Sequence, residues 1–403
     1  MATPLANIRV LDLSRILAGP WAGQLLGDFG ADVVKIERPG AGDDTRHWGP
    51  PWLEGVDYQE AAYFLSANRN KRSITIDLAN ERGRQLIRGL VVEADVLLEN
   101  FRTGTMQRYG LGYDALRAIN PRLVYCSISA FGQAGSRAEE PGYDAMIQAS
   151  AGLMSITGPP SGEAGGPQKV GVAVADIMAG MYASTAILAA LNARERTGQG
   201  QSIDVPLYDS QVAWLANQAM NFLISGEAPG RLGTAHPNLV PYQAFSTSDG
   251  NLMLAVGNDR QFADCVACLG LAELADDRRF ARNRDRVQNR KALIERMQIA
   301  FSSKGTAEWL RVLKDKGIPA GPINDIGEVL GNAYAAEREL VQTIDNSCGD
   351  PVPTVANPVD FSATPVRYDR AAPLLGEHTD EVLREWLGYS DELIAELHDC
   401  KAV

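Results

Sequence analysis

Cysteine and histidine are scarce in this chain: five and four residues among 403. Cys126, Cys265, Cys268, Cys348 and Cys400 are scattered, which excludes a disulfide framework. Cys265 and Cys268 make one C-x-x-C, but no second cysteine pair or nearby histidine completes a metal set. They read as two small residues of the helix "QFADCVACLGL". His47, His236, His378 and His398 show neither H-E-x-x-H nor H-x-x-x-H spacing, so no metal site is expected.

Excess positive charge is also lacking. Lys and Arg total 38 against 50 Asp and Glu, a net charge of −12. That balance argues against nucleic-acid partners and against an anionic membrane surface. It leaves room for a local basic pocket. The acids interleaved in "DDRRFARNRDRVQNRK" (276–291) make that run a solvated helix face. Three catalytic signatures are missing: G-x-S-x-G, the P-loop and G-x-G-x-x-G. Without the last, the glycines at 19, 23, 27 and 30 point to close helix–sheet packing, and no NAD cofactor is expected. The first residues have neither a signal-peptide nor a transit-peptide pattern, so the expected location is cytoplasmic. One long apolar run exists, "VGVAVADIMAGMYASTAILAAL" (170–191), but it is rich in Ala and Gly and carries Asp176. A buried core helix suits it better than a membrane span.

The composition itself, 45% hydrophobic and 22% charged, is that of a globular protein. A length of 403 residues implies two domains, or one with an insertion. Strand patterns at 8–14, 32–37, 72–78, 95–101 and 122–132 alternate with helix patterns at 19–30, 80–94 and 113–120. Short apolar runs separated by helices predict βαβ units and a parallel α/β sheet. A helix is expected over 141–158, and a strand running into a helix over 200–223. Residues 225–241 read as a linker, 242–257 as a hairpin with an Asp-Gly turn, and 316–325 as a second crossing loop. The expected division is 1–224 and 326–403 for a large domain, with 225–325 as a smaller one.

Ligands of such sheets bind beyond the carboxyl ends of the strands. Arg38, Lys71, Arg72, Arg102 and Arg108 fall near those ends. Each alone is an ordinary solvated cation; together they suit a phosphorylated nucleotide. Asp176 has two readings. As the N-cap of a helix starting at 177, it would accept backbone N–H bonds. As a nucleophile or acid–base group at a helix N-terminus, it would sit where the dipole favours a carboxylate. Local sequence leaves both open.

Seven segments, in order, bear on that choice: "RVLDLSRILAGPWAGQLLGDFGADVVKIERPGAGDDTR", "NKRSITIDL", "LLENFRTG", "PGYDAMIQASAGLMSITG", "VGVAVADIMAG", "RERTGQGQSIDVPLYDS" and "LLGEHTDEVL". Together they resemble the class III CoA-transferases, the CaiB/BaiF family, over nearly the whole chain. The resemblance implies an α/β fold. A Rossmann-like parallel-sheet large domain would be built from both chain ends, with a smaller inserted α+β domain and two interlocked subunits. It implies a nucleophilic aspartate at Asp176, with coenzyme A or acyl-CoA as substrate. Arg38, Lys71, Arg72, Asn100 and Arg108 would contact CoA, with Tyr143 beside the thioester. Trp48, His47 and His236 are candidates for lining the acyl site. Leu17 stands where some oxalate-linked members carry Gln. The blocks resemble most the members that take CoA from succinyl-CoA to a small dicarboxylate. Racemases of the same fold carry His-Asp where this chain has Tyr143-Asp144; a tyrosine, with ordinary pKa near ~10, is a poor base for an α-proton.

Overall fold

The computed structural model describes residues 3–55 and 58–403, in two compact units. The first takes residues 1–153, 170–225 and 333–403; the second takes 154–169 and 226–332. Residues 154–169, expected in the large domain, fall in the second unit, which runs on to 332 instead of ending at 325.

In the first unit six strands form one sheet: β1 (Arg9–Asp12), β2 (Asp32–Glu37), β3 (Lys71–Thr75), β4 (Val96–Glu99), β5 (Val124–Ser129) and β6 (Ser202–Pro206). Their order is 3-2-1-4-5-6, and every neighbouring pair is parallel. This is the strand order of doubly wound dinucleotide-binding folds, with its switch point between β1 and β4. Successive residues of a strand point to opposite faces, so a two-sided sheet needs apolar residues in runs. Leu11, Val34, Ile74 and Leu97 pack on one face with Leu86, Ile87 and Leu90. Those three lie on α2 (Glu81–Glu93). Val10, Val33, Val96 and Val124 pack on the other, beneath the small residues of α1 (Ala18–Asp28) and a later long helix.

The 141–158 segment forms two helices instead of one: α3 (Asp144–Ser150) and a single turn at Leu153–Ile156. Gly152, at φ +92°, breaks the run between them. The long helix α4 (Val174–Thr197) starts earlier than expected, placing Asp176 inside its first turn, and ends at Gly198 with φ +71°. A Cβ on Gly180 would stand 2.5 Å from the Ala18 carbonyl oxygen, so only glycine lets α4 approach α1 this closely. Among the described residues α4 is the one helix long and apolar enough to cross a bilayer, and half of its most apolar window is buried. β6 leads into α5 (Leu207–Trp214) and α6 (Ala216–Ser225).

The second unit carries an antiparallel sheet of β7 (Tyr242–Ser246), β8 (Asn251–Ala255) and β9 (Ala320–Pro322). The expected 316–325 loop thus contains a strand, paired through Leu252–Pro322 and Leu254–Ala320. Phe245, Leu252, Leu254, Phe262, Phe301 and Trp309 form this unit's own core. Cys265 is part of that core, and burial pushes its thiol up to about 12.

Candidate active site

The first turn of α4 has orphan N–H groups and an N-cap, Ala173, with no side-chain acceptor. Asp144, the first residue of α3, supplies one from across the fold: its carboxylate accepts the Ala175 N–H at 2.8 Å. Its other oxygen accepts from Gln148 Nε2 at 2.7 Å. Gln148 is fully buried, and its Oε1 accepts the Val170 N–H at 2.8 Å. The capping job assigned to Asp176 therefore belongs to Asp144. Among the described residues, Asp176 has no hydrogen-bonding or ionic partner. Burial, and then the neighbouring Asp144 carboxylate, raise Asp176 from the ordinary carboxylate range to about 7.

Asp176 opens into a cavity of about 380 Å³ that Arg15, Leu17, Asn100, Arg102, Ser129 and Tyr143 also line. Three of these, Arg15, Asn100 and Ser129, follow or end β1, β4 and β5, at the carboxyl side of the sheet where ligands bind in such folds. Residues 14–16, two of which line the cavity, lie outside the strands and helices. Side chains hold their backbone instead. Asp12 accepts the Ser14 N–H at 3.0 Å, and the Ser14 carbonyl accepts from Lys35 at 2.9 Å. Asn100 accepts the Arg15 N–H at 2.8 Å and donates to the Arg15 carbonyl at 2.7 Å. Both oxygens of Asp43 lie 3.2 Å from the Ile16 N–H. Ile16 has φ +70°, a conformation that costs a β-branched residue free energy and needs such support.

The cations expected to bind phosphate divide into two groups. Lys71 is fully buried, and its ammonium donates to Asp12, the Pro20 carbonyl and Asn68, each at 2.9 Å. An ammonium has three donors, so none remains for a phosphate. Burial lowers Lys71 to about 8, although Asp12 opposes the shift. Arg72 is buried in ion pairs with Asp32 at 2.5 Å, Glu381 at 2.9 Å and Glu385 at 2.6 Å. Both side chains hold the sheet together, which sequence position alone could not reveal. Arg38 and Arg108 are exposed: Arg38 has no ion pair among the described residues, and Arg108 donates to the Thr105 hydroxyl at 3.2 Å.

Tyr143 lines the cavity and is 64% exposed. Trp48 packs edge-on against Tyr63, with ring centroids 5.2 Å apart. Burial, then the charges of Asp176 and Asp144, raise the Tyr63 phenol, which places Tyr63 within electrostatic reach of the cavity acids. Neither Tyr63 nor Asp144 was singled out from sequence; each became visible only through its neighbours. His47 is exposed, its Nε2 3.1 Å from the Ala41 carbonyl oxygen. His236 belongs to the second unit, where its Nδ1 accepts the Asn238 and Leu239 N–H groups and its ring stacks on Tyr242. Glu99, beneath Asn100, is buried and raised to about 7, although the Ser127 hydroxyl and the Phe101 N–H both donate to it. Among the described residues no cluster of three His, Cys, Asp or Glu side chains could hold a metal ion.

The chain is similar to known proteins over nearly its whole length. The chain is 49% identical to a succinate–glutarate CoA-transferase of Agrobacterium fabrum, over 95% of each chain. It is 42% identical to the human succinyl-CoA:glutarate CoA-transferase, covering 98% of this chain and 88% of that one. A crystal structure of a CAIB/BAIF family protein from Brucella suis superposes with a TM-score of 0.85 at 48% identity, covering 96% of this chain and all of the other. The model of CoA-transferase family III matches residues 5–379. The match spans nearly the whole chain, and this chain belongs to CoA-transferase family III.

Proposed function

We propose that this protein transfers CoA from succinyl-CoA to a small dicarboxylate such as glutarate, through a thioester on Asp176. The observation that carries the reading is the unpartnered Asp176 carboxylate at the cavity, in a chain whose relatives are named for that transfer. Asp176 attacks the donor thioester carbonyl, forming a mixed anhydride and releasing CoA thiolate. The thiolate attacks the aspartyl carbonyl, giving the Asp176 thioester and free succinate. The acceptor carboxylate then attacks that thioester, and the thiolate released takes the acceptor acyl group, restoring Asp176. Each step exchanges one acyl bond for another, so ATP and a metal are not required.

A carboxylate without hydrogen bonds is a stronger nucleophile than one held by donors. The first-turn N–H groups of α4 favour the negative oxygen that develops on the attacked carbonyl. Asn100, Arg38 and Arg108 are proposed contacts for CoA, with Tyr143 beside the thioester. Lys71 and Arg72 are left out because their donors are occupied. His47 and Trp48 remain proposed neighbours of the acyl group. No observation favours the racemase chemistry.

The proposed assembly is an interlocked homodimer, with the second unit as the smaller inserted α+β domain, acting in the cytoplasm. Its support is α6, which buries no residue and exposes Leu223 at 71% and Ile224 at 81% beside Met220 and Phe222. Light scattering is expected to give twice the chain mass. For the chemistry, intact mass after incubation with succinyl-CoA is expected to show a CoA adduct that hydroxylamine maps to Asp176. A normal transfer rate in Asp176→Ala would refute the mechanism.

A further inference from the structure

Succinyl-CoA and glutarate share one feature besides the reacting acyl group: each keeps a free carboxylate at its far end. A transferase that handles both in one cavity meets the same anion in each half-reaction. The cavity holds two cations, Arg15 and Arg102, and three acids, Asp44, Glu140 and Asp176.

The two cations are built differently. Arg15 is pinned at its own N–H and carbonyl by Asn100, and its flanking residues are pinned by Lys35 and Asp43. Lys35 and Asp43 are themselves a buried pair, 2.9 Å apart with both side chains at 0% exposure. The side chain of Arg15 extends from this fixed base with its guanidinium 5.4 Å from the Phe101 ring centroid. Its one ionic partner among the described residues is Asp44 at 3.3 Å, and both side chains are nearly half exposed. A pair this exposed is weak. A bidentate carboxylate makes shorter, charge-assisted bonds and displaces a partner held this weakly. Arg102, by contrast, makes one long contact, at 3.4 Å to the Glu139 carbonyl, and no side chain holds its backbone N–H.

Building on the proposed transfer, we infer that Arg15 reads the distal carboxylate of both donor and acceptor, so that dicarboxylates are selected over monocarboxylates. The buried Lys35–Asp43 pair and Asn100 act through it as positioning residues. They set the Ser14–Ile16 backbone before substrate arrives, which reduces the ordering cost of binding.

The test is a selectivity ratio: kcat/KM for glutarate over kcat/KM for valerate, with succinyl-CoA as donor. Valerate has the same chain length and lacks the second carboxylate. Arg15→Met is expected to lower the ratio by about 10²-fold, mainly through the glutarate KM. The valerate kcat/KM, which reports the acceptor half-reaction alone, falls far less than the glutarate kcat/KM, and an unchanged circular dichroism spectrum reports that the variant is folded. Arg15→Lys is expected to recover part of the ratio, and Arg102→Met to leave it within about 3-fold. The ratio of adduct yields from succinyl-CoA and butyryl-CoA falls in parallel in Arg15→Met. The inference is overturned by an unchanged ratio in Arg15→Met, by equal loss for both acids, or by a ratio that follows Arg102. A wild-type enzyme that transfers CoA to no acid overturns the proposed activity itself, and this inference with it.

Discussion

Two sets of acids lie at the carboxyl side of one sheet and end in opposite states. In the network under α1, Asp12 stands beside Lys35 in the β1–β2 register and binds Lys71 at 2.9 Å. Burial alone would push Asp12 up, yet Lys71, Lys35 and the Ser14 hydroxyl together hold it below its ordinary value. Asp43 is likewise held down, to about 2, by Lys35 and the Thr45 donors against burial. At the start of α4, Asp176 has burial and a neighbouring acid but no cation, and rises to about 7. Burial is common to both; the partners decide the charge. The fold pairs its buried lysines with structural acids and leaves the cavity acid unneutralised.

The largest test of this contrast is Asp176→Ala, expected to lower CoA transfer by about 10³-fold or more while leaving the thermal midpoint within a few degrees. A rate within tenfold of wild type would remove Asp176 from the chemistry. Next comes the opposite region: Lys71→Met strands Asp12 in the core and is expected to cost about 3–5 kcal/mol in denaturant unfolding. Loss below 1 kcal/mol would mean that water reaches Asp12.

A third test uses pH. The folded-state value of Asp176 lies above its unfolded value, so its ionisation opposes folding as pH rises from about 4 to about 7. Asp176→Asn is therefore expected to gain stability over wild type through that window and to level off above it. For Asp43 the sign is reversed: its stabilisation is present above about pH 4 and is lost as pH falls towards 2. In Asp144→Asn, one charge beside Asp176 is removed while an oxygen remains for the Ala175 N–H. The pH midpoint for adduct formation is expected to move down relative to wild type. The smallest effect is expected at Arg108→Ala: an increase in the succinyl-CoA KM of up to about tenfold, shrinking in high salt.

Much of the scaffold was legible from short-range pattern. The strands of the parallel sheet and helices α1 and α2 lie within a few residues of the stretches that periodicity assigned them. The breaks fell where a single backbone conformation mattered: Gly152 divides the 141–158 segment, and β9 exists only because β8 offers it an edge. The proposed nucleophile was legible, through residues around Asp176 that match a family, and the residues that support it were not. Asp144 reaches Ala175 across 31 positions, and Asn100 reaches Arg15 across 85.

The sequence by itself determined the class of the fold and the family, and it singled out the acid proposed to carry the chemistry. Hydrophobic periodicity and contiguous motifs are local properties and survive without coordinates. The tertiary structure decided which charges are free to act. Lys71, Arg72, Arg38 and Arg15 are alike as cations near strand ends, and no local pattern separates them. Lys71 and Arg72 were removed from the ligand's reach by acids 59 and up to 313 residues distant, while Arg15 was fixed at the cavity by a side-chain clamp. Charge at a site depends on what folds against it, and that is a property of the packed chain alone.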